Sequence, residues 1–338
     1  LLTKDIITQL NNCKVVSTIT QDENEKEWLH VRSNGIGGSD IGTICGVNKW
    51  STPRLLYLKK TGQYKESYEK QDDGSVDRMR FGHLLEPIVA QEFEYRMNEN
   101  GRNIRIIEVK ATFCHKDYKW ALANVDRLII DNETNKIIGV LECKTASEYL
   151  KEEWNEGDIP VSYLYQLNWY LWILGLNYGA LACLVGGNKF YYYEVYRNDE
   201  LIKEMLEKAD KFWNYNVKNL IEPELDGSEA STRLVEKMNE DVEPNSEIIL
   251  EDESVNEMAN NLIKVKQEIK ELEKIKKELE NKLKEKIGNH EIAYTTDRVM
   301  KWKIHVQRRL DSKKLKKEMP DIYNAFLKEA IYRRFTIK

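Results

Sequence analysis

Asp126 is followed sixteen residues later by Glu142-Cys143-Lys144, and these acids interrupt two otherwise apolar, β-branched runs. The first runs from Trp120 to Ile130 and the second from Ile137 to Thr145, with Asp131-Asn132-Glu133-Thr134-Asn135 between them as a turn. That pattern predicts two strands joined by a tight connection. Side chains alternate along a strand, so Glu142 and Lys144 share one face and Cys143 turns to the other, into the core. Two carboxylates and an ammonium then converge at the end of a strand pair. Burying such charges without partners is costly, and a hard divalent cation bound by carboxylate oxygens is the natural compensation.

This arrangement resembles the catalytic core of the PD-(D/E)XK nuclease superfamily, with Val125 where proline usually stands. Three flanking segments are similar to one branch of it, the phage-type exonucleases grouped with lambda exonuclease and the YqaJ-like viral recombinases. They are Trp28–Gly46, with Arg32, Gly35, Gly37, Gly38 and Ser39-Asp40; Met79–Ala90, with Gly82 and Glu86; and Tyr163–Tyr170, with Gln166. With the acid pair they occur in the family's order and span residues 28 to 196.

The resemblance implies a Mg²⁺-dependent enzyme that digests linear duplex DNA from 5′ ends and leaves 3′ single strands for recombination. Mn²⁺ is the expected substitute metal. Asp126 and Glu142 would be the metal ligands, with the backbone carbonyl of Cys143 as a third. Lys144 would position or deprotonate the attacking water. Glu86 and Gln166 would organise a second metal, the water or the scissile phosphate, Glu86 being the possible second-metal ligand. Arg32 and Ser39 would form a pocket for the terminal 5′-phosphate. The expected partners are DNA ends, a single-strand annealing protein, and further copies of the chain in a trimeric ring. A structure- or sequence-selective endonuclease on the same fold is the alternative. An inactive DNA-binding or assembly protein is a third reading, opposed by the intact Asp126, Glu142 and Lys144.

The residues also have readings of their own. The glycines near 37 permit close or unusual backbone, Ser39-Asp40 is a helix N-cap signal, and a helix start beside Arg32 offers donors to an anion. Its bland alternative is an ordinary capped helix. Leu84, Leu85, Ile88, Val89 and Phe93 predict a helix with an apolar stripe, on which Glu86 could be a plain surface carboxylate and His83 a bystander. Gln166 lies in an apolar helix over 161–174, where a buried amide needs hydrogen-bond partners whatever its role.

The elements that must position these groups follow from pattern. Strands are expected over 178–186 and 189–196, then a helix near 201–216. The expected architecture is an α/β restriction-endonuclease-like core, a central mixed sheet flanked by helices, over residues 1–220. An acidic linker over 221–254, a coiled-coil-like helix over 255–288 and a small basic α+β module over 289–338 follow it. In the helix, Val255, Met258, Leu262, Val265, Ile269, Leu272, Lys276, Leu279 and Leu283 fall at alternating steps of three and four. Beyond Gly288, Met300, Trp302, Ile304 and Val306 alternate with polar residues, predicting a strand that could pair with 291–295. Lys301, Lys303, Arg333 and Arg334, interleaved with Trp302, Tyr332 and Phe335, suit DNA or partner contacts, or only solvate a packed module.

Charge is divided unevenly. The formal net charge is −5; residues 1–220 carry −4, residues 221–298 carry −9, and residues 299–338 carry +8. An acidic core argues against nonspecific coating of DNA while leaving room for metal-assisted phosphate contact. The five cysteines, at 13, 45, 114, 143 and 183, form no C-x-x-C pair and read as reduced thiols. None follows residue 183, which argues against an iron–sulfur cluster, and the absence of a G-x-x-x-x-G-K-[ST] loop argues against ATP use. With neither a long apolar span nor a signal pattern, a cytoplasmic protein is expected.

Overall fold

A computed structural model describes residues 7–65, 75–154, 159–329 and 332–337. The chain divides into two compact units, Leu1–Val242 and Glu243–Lys338.

In the first unit the strands are β1 (Cys13–Ser17), β2 (Ile104–Glu108), β3 (Thr112–His115), β4 (Leu122–Ala123), β5 (Arg127–Asp131), β6 (Ile137–Ala146), β7 (Tyr178–Val185) and β8 (Lys189–Tyr196). The helices are α1 (Gln21–Ser33), α2 (Gly38–Ile44), α3 (Pro53–Lys60), α4 (Ser75–Glu99), α5 (Val161–Leu174), α6 (Asp199–Asp210) and α7 (Glu229–Met238). A mixed five-stranded sheet in the order β2-β5-β6-β7-β8 forms the centre, and β1-β3-β4 make a smaller sheet. β5 and β6 are antiparallel, as the turn between them requires, whereas β6 and β7 are parallel. A parallel pair needs a crossover, and α5 supplies it.

Alternation along β6 sends its residues to two cores. Leu141 and Cys143 join Val89, Phe93 and Met97 of α4, while Val140 lies with Leu167 and Leu171 of α5. The sheet is therefore covered on both faces, and the middle of β6, from Gly139 to Cys143, is buried. α5 keeps the expected bounds and stops at Gly175, whose φ of 72° places it in the left-handed region suited to a helix end. The five cysteines form no disulfide. No helix among the described residues is long and apolar enough to cross a membrane.

Several expectations change. On α4, Val89, Ala90, Phe93 and Met97 are the buried residues, while Leu84 and Ile88 are exposed. The buried stripe starts half-way along because only the second half of α4 meets the sheet. Ser39-Asp40 is not the N-cap of α2. Gly37 holds that place, and Asp40, three residues on, reaches back so that its Oδ2 accepts the Gly37 N–H at 2.9 Å. The helix near 201–216 starts at Asp199, capped by Asn198, and passes into a π turn over Lys211–Val217. Within the acidic stretch 221–254 lies α7, with Ala230, Ser231 and Leu234 buried. A polar composition hid an amphipathic face of only three inward positions.

The second unit holds α8 (Glu253–Ile287), the hairpin β9 (Ile292–Tyr294) and β10 (Val299–Lys301), and the short helices α9 (Ser312–Glu318) and α10 (Pro320–Ala325). The strand expected through Val306 ends at Lys301. Past it only the Trp302 N–H bonds to a main-chain oxygen of the hairpin, Glu291 O at 2.8 Å. Ile304 and Val306 stay exposed, so alternation without a surface to bury against does not extend the ladder.

Candidate active site

The site forms where β5 and β6 open toward α4 on one face and α5 on the other. Arg127 is opposite Leu141 in the ladder, so Asp126, one step before β5, stands beside Glu142. The link is direct: the Cys143 N–H donates to Asp126 Oδ2 at 2.8 Å. Glu142 and Lys144 share a face, as alternation requires, and Lys144 Nζ lies 2.5 Å from Glu142 Oε1. From α5, Gln166 Nε2 donates to the same oxygen at 2.6 Å and to the Tyr170 hydroxyl at 3.0 Å. The ammonium of Lys144 also sits 5.1 Å from the centre of the Tyr163 ring.

Glu142 is 2% exposed, and its second oxygen, Oε2, is buried with no hydrogen-bond partner. Burial and the nearby Asp126 charge push its carboxyl up to about 8, against the opposing pull of Lys144. Burial works against the charge on Lys144 too, but Glu142 and Asp126 outweigh it and hold the ammonium above the usual lysine range. Glu86 is raised by its own burial and by Asp126. Three carboxylates here share two cations, Lys144 on Glu142 and Arg127 on Glu86, and the negative charge left over is the condition that a divalent cation relieves.

Among the described residues no three His, Cys, Asp or Glu side chains are clustered as a ready metal cage. Glu86, near enough to Asp126 to feel its charge, is held by Arg127. The donor set nevertheless fits a small hard cation. Such ions commonly take one or two carboxylates and complete their shell with water, and here Asp126 and the orphaned Glu142 Oε2 supply that pair. The backbone carbonyl of Cys143 lies on the same strand segment.

Arg127 is the functional neighbour that sequence reasoning missed. Its guanidinium is almost fully buried, pairs with Glu86 and donates to the main-chain oxygen of Asp126 at 2.8 Å. A signal was available: an arginine next to the key acid inside an apolar strand needs a buried anion. Tyr170, read only as an apolar helix residue, was also missed.

The second predicted cluster assembles as well. Arg32, near the end of α1, donates to Ser39 Oγ at 2.8 Å and lies 4.5 Å from the Trp28 ring centre. Beneath it Asp40 pairs with Lys60 at 2.8 Å, a contact nearly closed to solvent on the lysine side. Burial would raise the Asp40 carboxyl, but the charges of Lys60 and Arg32 prevail and hold it below the usual range. Gly38 lets α2 and α5 meet, since a Cβ there would stand 2.4 Å from the Tyr170 ring. A cleft beside Asp126 is lined among others by Trp28, His83, Glu86, Lys110 and Arg127. His83 is exposed and lines the cleft beside Glu86, whose carboxyl its charge tends to lower. Lys301, Lys303, Arg333 and Arg334 are exposed residues of the second unit.

The profile of the YqaJ-like viral recombinase domain matches residues 27–177. The chain is 41% identical over 314 residues to the uncharacterized protein YqaJ of Bacillus subtilis (strain 168), covering 92% of this chain and 93% of that one. Among solved structures it is similar to an alkaline exonuclease from Laribacter hongkongensis, at 16% identity and a TM-score of 0.43, over 58% of this chain and 94% of that one. The same exonuclease in complex with dAMP matches at 18% identity and a TM-score of 0.45, with equal coverage. A phage-related exonuclease from Haemophilus somnus 129PT matches at 11% identity and a TM-score of 0.36, over 55% of this chain and 96% of that one.

Proposed function

The chain belongs to the YqaJ-like viral recombinase family, and from that premise we propose that it is a divalent-metal-dependent deoxyribonuclease that shortens linear duplex DNA from its 5′ ends. The observation that carries this reading is the pair of adjacent acids, Asp126 just before β5 and Glu142 within β6: Glu142 keeps a buried, unpartnered oxygen beside Asp126, with the Lys144 ammonium 2.5 Å from its other oxygen. Such a set suits hydrolysis of a phosphodiester better than acyl or glycosyl transfer, because it offers metal ligands and a cation but no activated side-chain nucleophile.

In this reading Asp126 and Glu142, with the carbonyl of Cys143, hold Mg²⁺, for which Mn²⁺ can substitute. Held there, such an ion would supply a lowered pKa for an attacking water and an offset for charge growing on the phosphoryl oxygens. Lys144 orients that water. Gln166, which also donates to Tyr170, would keep the Glu142 carboxylate at one rotamer and leave its second oxygen free for a cation. Glu86 lies close enough to feel Asp126 and would join the metal shell on leaving Arg127. Arg32 and Ser39 hold the terminal 5′-phosphate through charge-assisted hydrogen bonds. The 3′ strand left behind is a substrate for a single-strand annealing protein, and a trimeric ring of chains would hold the DNA during digestion.

The test is digestion of linear duplexes carrying 5′-phosphate or 5′-hydroxyl ends, with and without Mg²⁺, beside closed circular DNA. Release of nucleotides from 5′-phosphorylated linear DNA only with metal, and no nicking of circles, supports the reading. Efficient nicking of circles points to the endonuclease alternative.

A further inference from the structure

We propose that α8 pairs with α8 of a second copy of this chain, antiparallel and in one register, about a two-fold axis passing between Lys270 and Glu271. The helix has 35 residues, about 52 Å at 1.5 Å per residue. Along it the seam residues from Val265 to Leu283 are open to solvent, with Leu272 64% and Leu279 56% exposed, while Val255 and Leu262 are half-buried. An apolar stripe of that length marks an interaction surface. The heptad places Val255, Leu262, Ile269, Lys276 and Leu283 at the first seam position, and Met258, Val265, Leu272 and Leu279 at the second.

Charge decides the direction. In a parallel pair in register, Lys276 would face Lys276 of the second copy inside the seam, and Glu268 would flank Glu273 of the other chain, on both sides. Each contact sets like charges together, and a parallel trimer repeats them three times. Reversing one helix removes both conflicts. Ile269 then meets Leu272 of the second copy, Leu262 meets Leu279, and Met258 meets Leu283. Lys276 lies opposite Val265, where its stem covers the valine and its ammonium, 3.8 Å from Glu280 on its own helix, reaches the edge. Lys266 now flanks Glu273 of the second copy, and the two-fold repeats that attraction. Among the described residues neither Lys266 nor Glu273 makes an ion pair in its own chain.

A second copy is favoured over an unrelated partner because a single register satisfies both seam and flank with this sequence alone. The inference concerns the second unit and stands apart from the nuclease reading. It also differs in symmetry from a ring, since antiparallel pairing joins copies two at a time.

The test uses the full chain and two variants, Glu273→Lys and Lys266→Glu/Glu273→Lys, with mass followed against concentration by light scattering and helix content by circular dichroism. Both positions are exposed, so folding is spared. Glu273→Lys turns two attractions into two repulsions and should weaken assembly roughly tenfold. The double variant should restore it. Assembly through the first unit contributes equally to all three proteins, so their differences read α8 alone. Stronger assembly of Glu273→Lys would establish a parallel pair and overturn the proposal. Unchanged assembly in both variants, or failure of the double variant to recover, would show that Lys266 does not meet Glu273 of a second copy, and would overturn it equally.

Discussion

Arg127 clamps Glu86: one guanidinium pairs with the α4 carboxylate while donating at 2.8 Å to the main-chain oxygen of Asp126. The contact ties α4 to the strand that starts the site, so it governs both where Glu86 points and how Asp126 is held.

Replacing Arg127 with Met should therefore cost stability and activity together. The half-buried Glu86 loses its counter-charge next to Asp126, and a destabilisation of about 1–3 kcal/mol is expected, less than for a fully buried pair. Urea unfolding measures it. Arg127→Lys keeps the charge but not the two-pronged geometry, and should recover stability more than turnover. Equal recovery of both would show that the guanidinium shape does not matter.

Asp126→Asn, Glu142→Gln and Lys144→Ala should each reduce nucleotide release by at least a hundredfold. Lys144→Ala should retain DNA binding in a gel-shift assay with Ca²⁺, an ion that supports binding while holding the water less strictly than Mg²⁺. Near-wild-type release from all three variants would remove the catalytic assignment.

The crowding around Glu142 predicts a stability signature that needs no turnover. In chelator, Glu142→Gln relieves the repulsion from Asp126 but takes the counter-charge from Lys144, so it should melt no higher than the parent, with about 2–4 °C lost for each kcal/mol of pairing removed. Mg²⁺ should raise the melting temperature of the parent and leave the variant nearly unmoved. Equal metal stabilisation of both proteins would place the ion elsewhere.

Arg32→Ala should slow digestion of 5′-phosphorylated ends by roughly ten- to a hundredfold, the worth of one charge-assisted hydrogen bond, and barely affect 5′-hydroxyl ends. Equal slowing on both ends would reduce Arg32 to a structural role beside Trp28.

The Asp40–Lys60 pair sets an acid limit. The folded carboxyl titrates below its unfolded value near 3.8. Its stabilisation is therefore present above that value and is lost as pH falls through the lower, folded one. Asp40→Asn should destabilise the protein at pH 7, and the gap to the parent should close in strong acid. A gap that does not change with pH would show that the ionised carboxylate, whether through Lys60 or through the Gly37 N–H, is not what Asp40 contributes.

What the sequence made legible was what periodicity and turn chemistry encode. β6, α5 and β8 kept their expected bounds or nearly so because apolar runs ended at turn residues; the shared face of Glu142 and Lys144 followed from alternation, and the place of Asp126 beside them from the pairing of β5 with β6. Less legible were features set by which surface a segment meets. Leu84 and Ile88 belong to the same apolar stripe as Val89, yet only the latter reaches the sheet. Arg127 lies in an apolar strand, and its partner is 41 residues away in sequence. Val306 alternates like a strand residue but has nothing to lie against.

Gly38 has a consequence for measurement at the molecular scale. Because it carries no side chain, the Tyr170 ring can press on the start of α2, and the hydroxyl of that ring accepts from the amide that steadies Glu142. The seat proposed for the end of the DNA and the carboxylate proposed to cut it are thus built on a common rigid contact rather than on separate loops. In the proposed enzyme this is a gauge: the interval between the gripped terminus and the severed bond is a property of the fold, the same at every step. A residue larger than glycine at 38 would reset the gauge, and the lengths of the released fragments would record the change.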